Sequence, residues 1–179
     1  MSIEILYAGL SVEALSVDAA AAAVDAADCG AVVTFSGVVR NHDGGRDVAS
    51  LSYSGHPTAE RVMADTVRNA VSTALQDAGT GAAARDAGGA AARDAGPAAD
   101  DPAGPAATVR VWAAHRLGPL AVGDPALVCA VAAPHRGQAF AVCSAVVDAI
   151  KAGVPIWKEQ FFADGSIEWV GAGTPDAGR

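Results

Sequence analysis

The sequence has few of the residues that mark extracellular, membrane-spanning or nucleic-acid-binding proteins. Its 179 residues include only three cysteines, Cys29, Cys129 and Cys143, without a CxxC spacing, so neither a disulfide framework nor a metal site is expected. No run of about 18 uncharged apolar residues indicates a membrane-spanning helix. Twelve basic and twenty acidic residues leave a net charge of −8. This excess of acid disfavours a nucleic-acid partner, which needs a basic face.

Standard catalytic signatures are also missing. There is no GxSxG, P-loop, HExxH or GxGxxG pattern, so the sequence does not match the common classes of hydrolase, NTPase, zinc protease or dinucleotide-binding protein that these motifs define. The first 18 residues carry acidic but no basic residues, so they do not resemble a signal peptide. Because 51% of the residues are hydrophobic and 18% are charged, we expect one folded cytoplasmic domain over 1–179.

The segment 77–107 differs in composition from the rest of the chain. It contains the octapeptide GAAARDAG twice in succession, at 81–88 and 89–96, and no aromatic residue. Gly, Pro and Asp recur too often for a stable helix, and two copies are too few for a solenoid. We therefore expect a disordered surface loop inserted into the domain.

The remaining chain alternates between β-branched stretches and helical spacing. Strands are predicted at Ile3–Leu6, Ala31–Val39, Val48–Tyr53, Val109–Ala114, Ala126–Ala132, Val154–Phe162 and Ile167–Val170, and helices from Ser16 or Asp18 to Ala27, from Pro57 to about Leu75, and over Gln138–Lys151. Hairpins are predicted between the strands at 31–39 and 48–53 and across 163–165, with a turn over 117–124. Hairpin-paired strands with interposed helices indicate an α+β domain.

Lysine is scarce, and its two positions lie close together. Ten of the twelve basic residues are arginine, and the only lysines, Lys151 and Lys158, flank a short apolar segment where a helix ends and a strand begins. Lysine suits proton transfer or covalent catalysis because its pKa shifts readily on burial. The alternatives are a favourable interaction of Lys151 with the helix dipole and a solvated strand position for Lys158.

Three other basic residues are candidates for anion binding. His135 and Arg136 stand at the N-terminus of the helix that ends at Lys151, where their donors add to unpaired backbone N–H groups. Arg40 ends a strand beside a Gly-rich loop, and a side chain at that position could reach into a pocket. The alternatives are salt bridges for the two arginines and a backbone carbonyl for His135. The same dipeptide at 115–116 indicates no role by itself.

The order of five segments resembles the catalytic (large) subunit family of molybdopterin synthase. These segments are FSGVVRNHDGG, VWAAHRLGPLAVGD, APHRGQAF, DAIKAGVPIWKEQ and DGSIEWV. The resemblance extends from about Ile3 to Val170 and is interrupted by 77–107, which the family core lacks. Its most specific combination is His-Arg, a lysine 16 positions later, and then PIWK.

The resemblance implies an α/β hammerhead-like fold and a sulfur-transfer reaction in molybdenum cofactor biosynthesis. In that reaction a cyclic pyranopterin monophosphate becomes the molybdopterin dithiolene. The implied sulfur donor is a small ubiquitin-like subunit with a thiocarboxylate on its C-terminal Gly-Gly. The implied assembly is a heterotetramer around a dimer of large subunits. No permanently bound cofactor, nucleic acid or membrane is implied.

The resemblance also implies roles for particular residues. Lys151 corresponds to the family's essential lysine, and Lys158 to a second lysine near the donor tail. The positions matched to substrate binding are Val38, Val39, Arg40, His135, Arg136, Lys151, Lys158, Glu159 and Gln160, with Val38, Val39, Glu159 and Gln160 contributing through the backbone. Two alternative functions are a non-catalytic anion-binding or scaffold paralogue of the same fold and a lysine-dependent Schiff-base enzyme.

Overall fold

The computed structural model describes residues 2–86 and 108–171, which contain nine strands with three helices between groups of strands. The strands are β1 (Ser2–Ser11), β2 (Ala31–Val38), β3 (His42–Asp43), β4 (Arg46–Gly55), β5 (Thr108–Arg116), β6 (Gly118–Ala121), β7 (Pro125–Ala133), β8 (Ile156–Phe162) and β9 (Ile167–Val170). The helices are α1 (Val17–Val24), α2 (Ala59–Asp86) and α3 (Arg136–Gly153). None of these described helices is long and apolar enough to cross a membrane. The predicted α+β class is confirmed.

Four strands form the first sheet in the order β1-β5-β7-β2, and helices cover both of its faces. α2 and α3 pack on one face and α1 packs on the other. Consequently β7 is buried along almost its whole length, and its sequence PALVCAVAA contains no charged or hydroxyl side chain. The covered sheet forms the main core of the molecule.

The second sheet is built around β4, which pairs with β3, β6 and β8, while β9 extends it beyond β8. Its inner face buries a small core that includes Val39, Leu51, Leu120 and Phe162. The chain passes between the two sheets after β2 and again between β6 and β7, and these two connections contact each other, since the N–H of Val39 donates to the carbonyl of Asp124 at 3.0 Å. This junction is where the candidate site lies.

One predicted hairpin is confirmed and another is wrong. β8 and β9 pair as predicted. The strand at 31–39 does not pair with the strand at 48–53, because β2 pairs with β7 and β4 pairs with β8. The tight turn at Gly44 and Gly45, with φ of +55° and +76°, joins β4 to only His42 and Asp43. The loop after β2 therefore crosses from the first sheet to the second.

Three further features differ from the predicted pattern. β1 pairs with β5 in parallel, so the sheets are not built from hairpins alone. The predicted turn at 117–124 contains β6, which pairs with β4. α2 continues to Asp86 through the first residues of the predicted loop, since the alanines there favour helix. The rest of that predicted loop, 87–107, lies outside the described residues.

Candidate functional site

A pocket of about 330 Å³ opens at the junction of the two sheets. Its walls come from the end of β2, the loop that follows, β3, β4, the end of β5, the start of β7, the end of α3, and β8. The lining residues are Gly37, Val38, Val39, Arg40, His42, Asp43, Leu51, Tyr53, His115, Ala126, Leu127, Lys151, Lys158 and Gln160. The pocket thus has an apolar floor and a charged rim.

Both lysines of the chain line this pocket, although they come from different elements. Lys151 lies in the last turn of α3, whose C-cap residue Val154 has an extended conformation (φ −81°, ψ 124°). The chain turns there into β8, which brings Lys158 back beside Tyr53 of β4. Lys151 is exposed and Lys158 is largely enclosed, with 19% of its side chain accessible. The short segment between the lysines therefore places two ammonium groups at one cavity.

The strand that ends in Val38 supplies the opposite wall. Val38 is half exposed and Val39 is buried, and both line the pocket. Arg40 follows them and lies 3.6 Å from a carboxylate oxygen of Asp43. The structure therefore places Arg40 both at the pocket and in an ion pair, so the two interpretations of this residue are compatible.

Asp43 connects the basic residues of the rim. Its Oδ2 accepts a hydrogen bond from Gln160 Nε2 at 2.9 Å and lies 3.4 Å from Lys158 Nζ. The hydrogen bond from Gln160, with smaller contributions from the charges of Lys158 and Arg40, holds the pKa of Asp43 below its usual value although burial opposes this. Asp43 therefore remains an anion among cations at neutral pH.

His115 lies at the end of β5 and presents its imidazole to the pocket. Its Nδ1 is 2.9 Å from the carbonyl oxygen of Arg116, and since a carbonyl only accepts, Nδ1 carries the proton. The ring packs edge-on against Tyr53, with 4.8 Å between centroids. Burial, with a smaller contribution from the charge of Lys151, lowers the pKa of His115 against the opposing hydrogen bond. The site thus contains a neutral imidazole.

The lowered pKa of His115 predicts a pH dependence of stability. The unfolded chain gains this proton below about pH 6.5, whereas the folded protein resists it, so the free energy of unfolding should fall as the pH drops from that value. Urea unfolding at about pH 7.5 and pH 5.5 measures the loss. His115→Gln should show a smaller loss. The same loss in both proteins would contradict the prediction.

Three predicted substrate-binding residues do not line this pocket. His135 and Arg136 begin α3, and the sixteen residues of helix up to Lys151 span about 24 Å. Both side chains are exposed at the far end of the domain. Glu159 pairs with Ser52 and follows Lys158 on β8, so the strand alternation directs its side chain to the opposite face. Within one chain, the pocket therefore lacks the His-Arg pair.

Asp43 and His115 are among the lining residues that were not predicted from the sequence. The buried residues Val109, Val111 and Ala113 alternate along β5, and this alternation places His115 on the same face. That signal is present in the sequence. For Asp43, the only indication in the sequence is its position three residues after Arg40. Its contacts with Lys158 and Gln160 join residues more than a hundred positions apart, so no local pattern predicts them.

Comparison with known proteins identifies relatives of the whole domain. The family model described as MoaE protein matches residues 10–153. Molybdopterin synthase catalytic subunit 1 of Mycobacterium tuberculosis is 34% identical over 165 residues, which cover 92% of this chain and 90% of that protein. The molybdopterin synthase catalytic subunit of Nostoc sp. is 35% identical over 176 residues, covering 96% of this chain and 83% of that protein.

Solved structures share the fold. Molybdopterin synthase from Staphylococcus aureus has a TM-score of 0.67 and 24% identity, covering 92% of this chain and 96% of that chain. A complex of subunits 1 and 2 of molybdopterin-converting factor from Helicobacter pylori has a TM-score of 0.52 and 18% identity, covering 97% of this chain and 92% of that chain. The first of these likenesses is the stronger.

Proposed function

The chain belongs to the MoaE protein family, and from this premise we propose that it is the catalytic subunit of a molybdopterin synthase. As such it is an enzyme of molybdopterin biosynthesis that transfers sulfur to a cyclic pyranopterin monophosphate. The observation that carries the proposal is the convergence of Lys151 and Lys158, the only lysines of the chain, on one pocket. A scaffold paralogue has no need for that convergence.

The proposed donor is a small ubiquitin-like subunit whose C-terminal Gly-Gly carries a thiocarboxylate. Its sulfur attacks a carbon of the pterin side chain that carries the cyclic phosphate, so a C–S bond forms while the C–O bond to phosphate breaks and the phosphate remains on the pterin as a monoester. An acyl thioester then joins the two molecules. Water then hydrolyses the thioester, so the donor leaves as a carboxylate and the sulfur remains on the pterin. A second donor attacks the neighbouring carbon, whose oxygen leaves as water, and hydrolysis of the second thioester completes the dithiolene. The complex of two subunits from Helicobacter pylori supports a partner of this kind.

The charges around the pocket suit this chemistry. Opening of the cyclic phosphate develops negative charge, and fixed cations stabilise such charge best where water is excluded. Lys151, at the exposed edge, is proposed to act in proton transfer or electrostatic activation at the reacting carbon. Lys158, which is more enclosed, is proposed to orient the thiocarboxylate, and Arg40 to bind the phosphate. The phosphate of the proposed substrate accounts for a basic pocket on an acidic protein, so no nucleic-acid partner is needed to explain it.

The remaining substrate-binding residues are proposed to act across a dimer. An α-helix separates the backbones of Arg136 and Lys151 by about 23 Å, and neither His135 nor Arg136 lines the pocket of its own chain. In a symmetric dimer, the start of α3 in one copy can approach the pocket of the other copy. Each pocket then takes its lysines from one chain and its His-Arg pair from the partner.

The proposed function is tested by a single-turnover reaction. The protein is mixed with a thiocarboxylated small subunit and the cyclic pterin precursor, and the dithiolene product is measured. Product is expected only when all three components are present. A stable complex with the small subunit that gives no product would support the scaffold function instead. Borohydride trapping of a carbonyl substrate on Lys151 would support the Schiff-base function.

Arg136→Ala is expected to weaken binding of the pterin precursor. Its guanidinium would make a charge-assisted contact, and removal of such a contact costs about 1.5–3 kcal/mol, or roughly ten- to hundredfold in affinity. Equilibrium binding to the complete enzyme measures the change. Arg68→Ala, which removes an exposed arginine paired with Asp65 on α2, is the matched control. Equal affinities for the two variants would contradict an anion site at the start of α3.

A further inference from the structure

Asp43 is the only carboxylate among the residues that line the pocket. It faces three side chains from two different elements. Its Oδ2 is 2.9 Å from Gln160 Nε2 and 3.4 Å from Lys158 Nζ, and its Oδ1 is 3.6 Å from Arg40. About 23% of the Asp43 side chain remains accessible, so the ion pairs are partly shielded from water. One anion thus holds two cations and an amide.

The contact with Gln160 also fixes the orientation of its amide. An ionised carboxylate has no hydrogen to donate, so only the amide nitrogen of Gln160 can face Asp43. The amide oxygen therefore points away, and it is buried without a hydrogen-bond partner among the described residues. Gln160 itself is 2% exposed. A buried amide oxygen without a partner among the described residues is uncommon, so Gln160 stands out among the buried residues of the pocket.

We propose that Asp43 is a positioning residue that fixes Lys158 in the pocket by joining it to the buried amide of Gln160. Lys158 and Gln160 are alternate residues of β8 and lie on the same face of the sheet. Gln160 is held by the core, Asp43 is held by Gln160, and Lys158 is held by Asp43. A long flexible side chain is thereby restricted to one place. The inference deepens the proposed function and rests on it only for the activity measurement.

Asp43→Asn tests the role of the charge, because asparagine has nearly the same shape. The variant should lose about ten- to hundredfold in single-turnover rate, since Lys158 is no longer held where the reaction needs it. Asp65→Asn is the matched control, because Asp65 also lies between two arginines, Arg61 and Arg68, but on the exposed side of α2. It should leave the rate unchanged.

The exchange variant Asp43→Asn/Gln160→Glu separates positioning from a merely structural role. In this variant the carboxylate is at position 160 and the amide is at position 43, so the hydrogen bond between the two positions can form with donor and acceptor exchanged. The net charge beside Lys158 is unchanged. The single-turnover rate of the exchange variant should be at least about tenfold higher than the rate of Asp43→Asn. Equal losses in the single and exchange variants, both folded by circular dichroism, would overturn the proposal.

A second measurement is independent of activity. The chain has only two lysines, so brief acetylation followed by peptide mass spectrometry gives the labelling ratio of Lys158 to Lys151 directly. Release of Lys158 in Asp43→Asn should raise this ratio severalfold, and the exchange should lower it again. An unchanged ratio would overturn the proposal. A raised ratio in a protein that makes no dithiolene would uphold the positioning role and reject the proposed function.

Discussion

Lys151→Ala is expected to reduce product formation in the single-turnover reaction by about 10²–10⁴-fold, the usual contribution of a positioned proton-transfer group. The pocket retains the other cations, Lys158 and Arg40, so electrostatic attraction for the precursor persists. The loss should therefore appear mainly in the rate at saturating precursor and less in the affinity. Quenched-flow measurement of the dithiolene separates the two.

The same substitution should have little effect on folding. Lys151 is exposed in the last turn of α3, and its interaction with the helix dipole contributes only about 0.3–1 kcal/mol. Thermal unfolding and binding of the small subunit therefore serve as controls. Retained turnover in a folded, partner-binding Lys151→Ala protein would reject Lys151 as the principal residue. A variant that unfolds would be replaced by Lys151→Met, which keeps the apolar stem.

The parts of this structure that could be predicted from the sequence are those determined by local patterns. The alternation of β-branched residues and the helical spacing of apolar residues predict α3, β7 and the β8–β9 hairpin, and these elements occur as predicted. The sequence shows that only seven positions and a helix end separate Lys151 from Lys158. Their place at one site is what the family resemblance implied, and the structure shows both lining the same pocket.

The parts that could not be predicted depend on contacts between distant segments. The choice of β7 rather than β4 as the partner of β2 is decided by burial between two layers of helices, which no local window contains. The cluster of Asp43, Lys158 and Gln160 likewise joins segments more than a hundred residues apart. Proximity in sequence gives no information about such contacts.

The dimer proposal predicts complementation between two impaired variants. In a mixed dimer of Arg136→Ala and Lys151→Ala, one pocket combines the intact Lys151 of the first chain with the intact Arg136 of the second. The other pocket carries both substitutions. Random mixing makes about half of the dimers mixed, so about a quarter of the wild-type activity should return at low precursor concentration. Each variant alone should remain well below this value under the same conditions.

The control for complementation is a mixture of the wild-type chain with the double variant Arg136→Ala/Lys151→Ala. Every pocket in its mixed dimers lacks either Lys151 or Arg136, so only the wild-type dimers, about a quarter of all dimers, stay fully active. If the His-Arg pair instead served its own chain, half of the pockets in this mixture would remain active, and the two single variants would not complement each other. Because α3 separates the backbones of Arg136 and Lys151 by about 23 Å, we expect complementation.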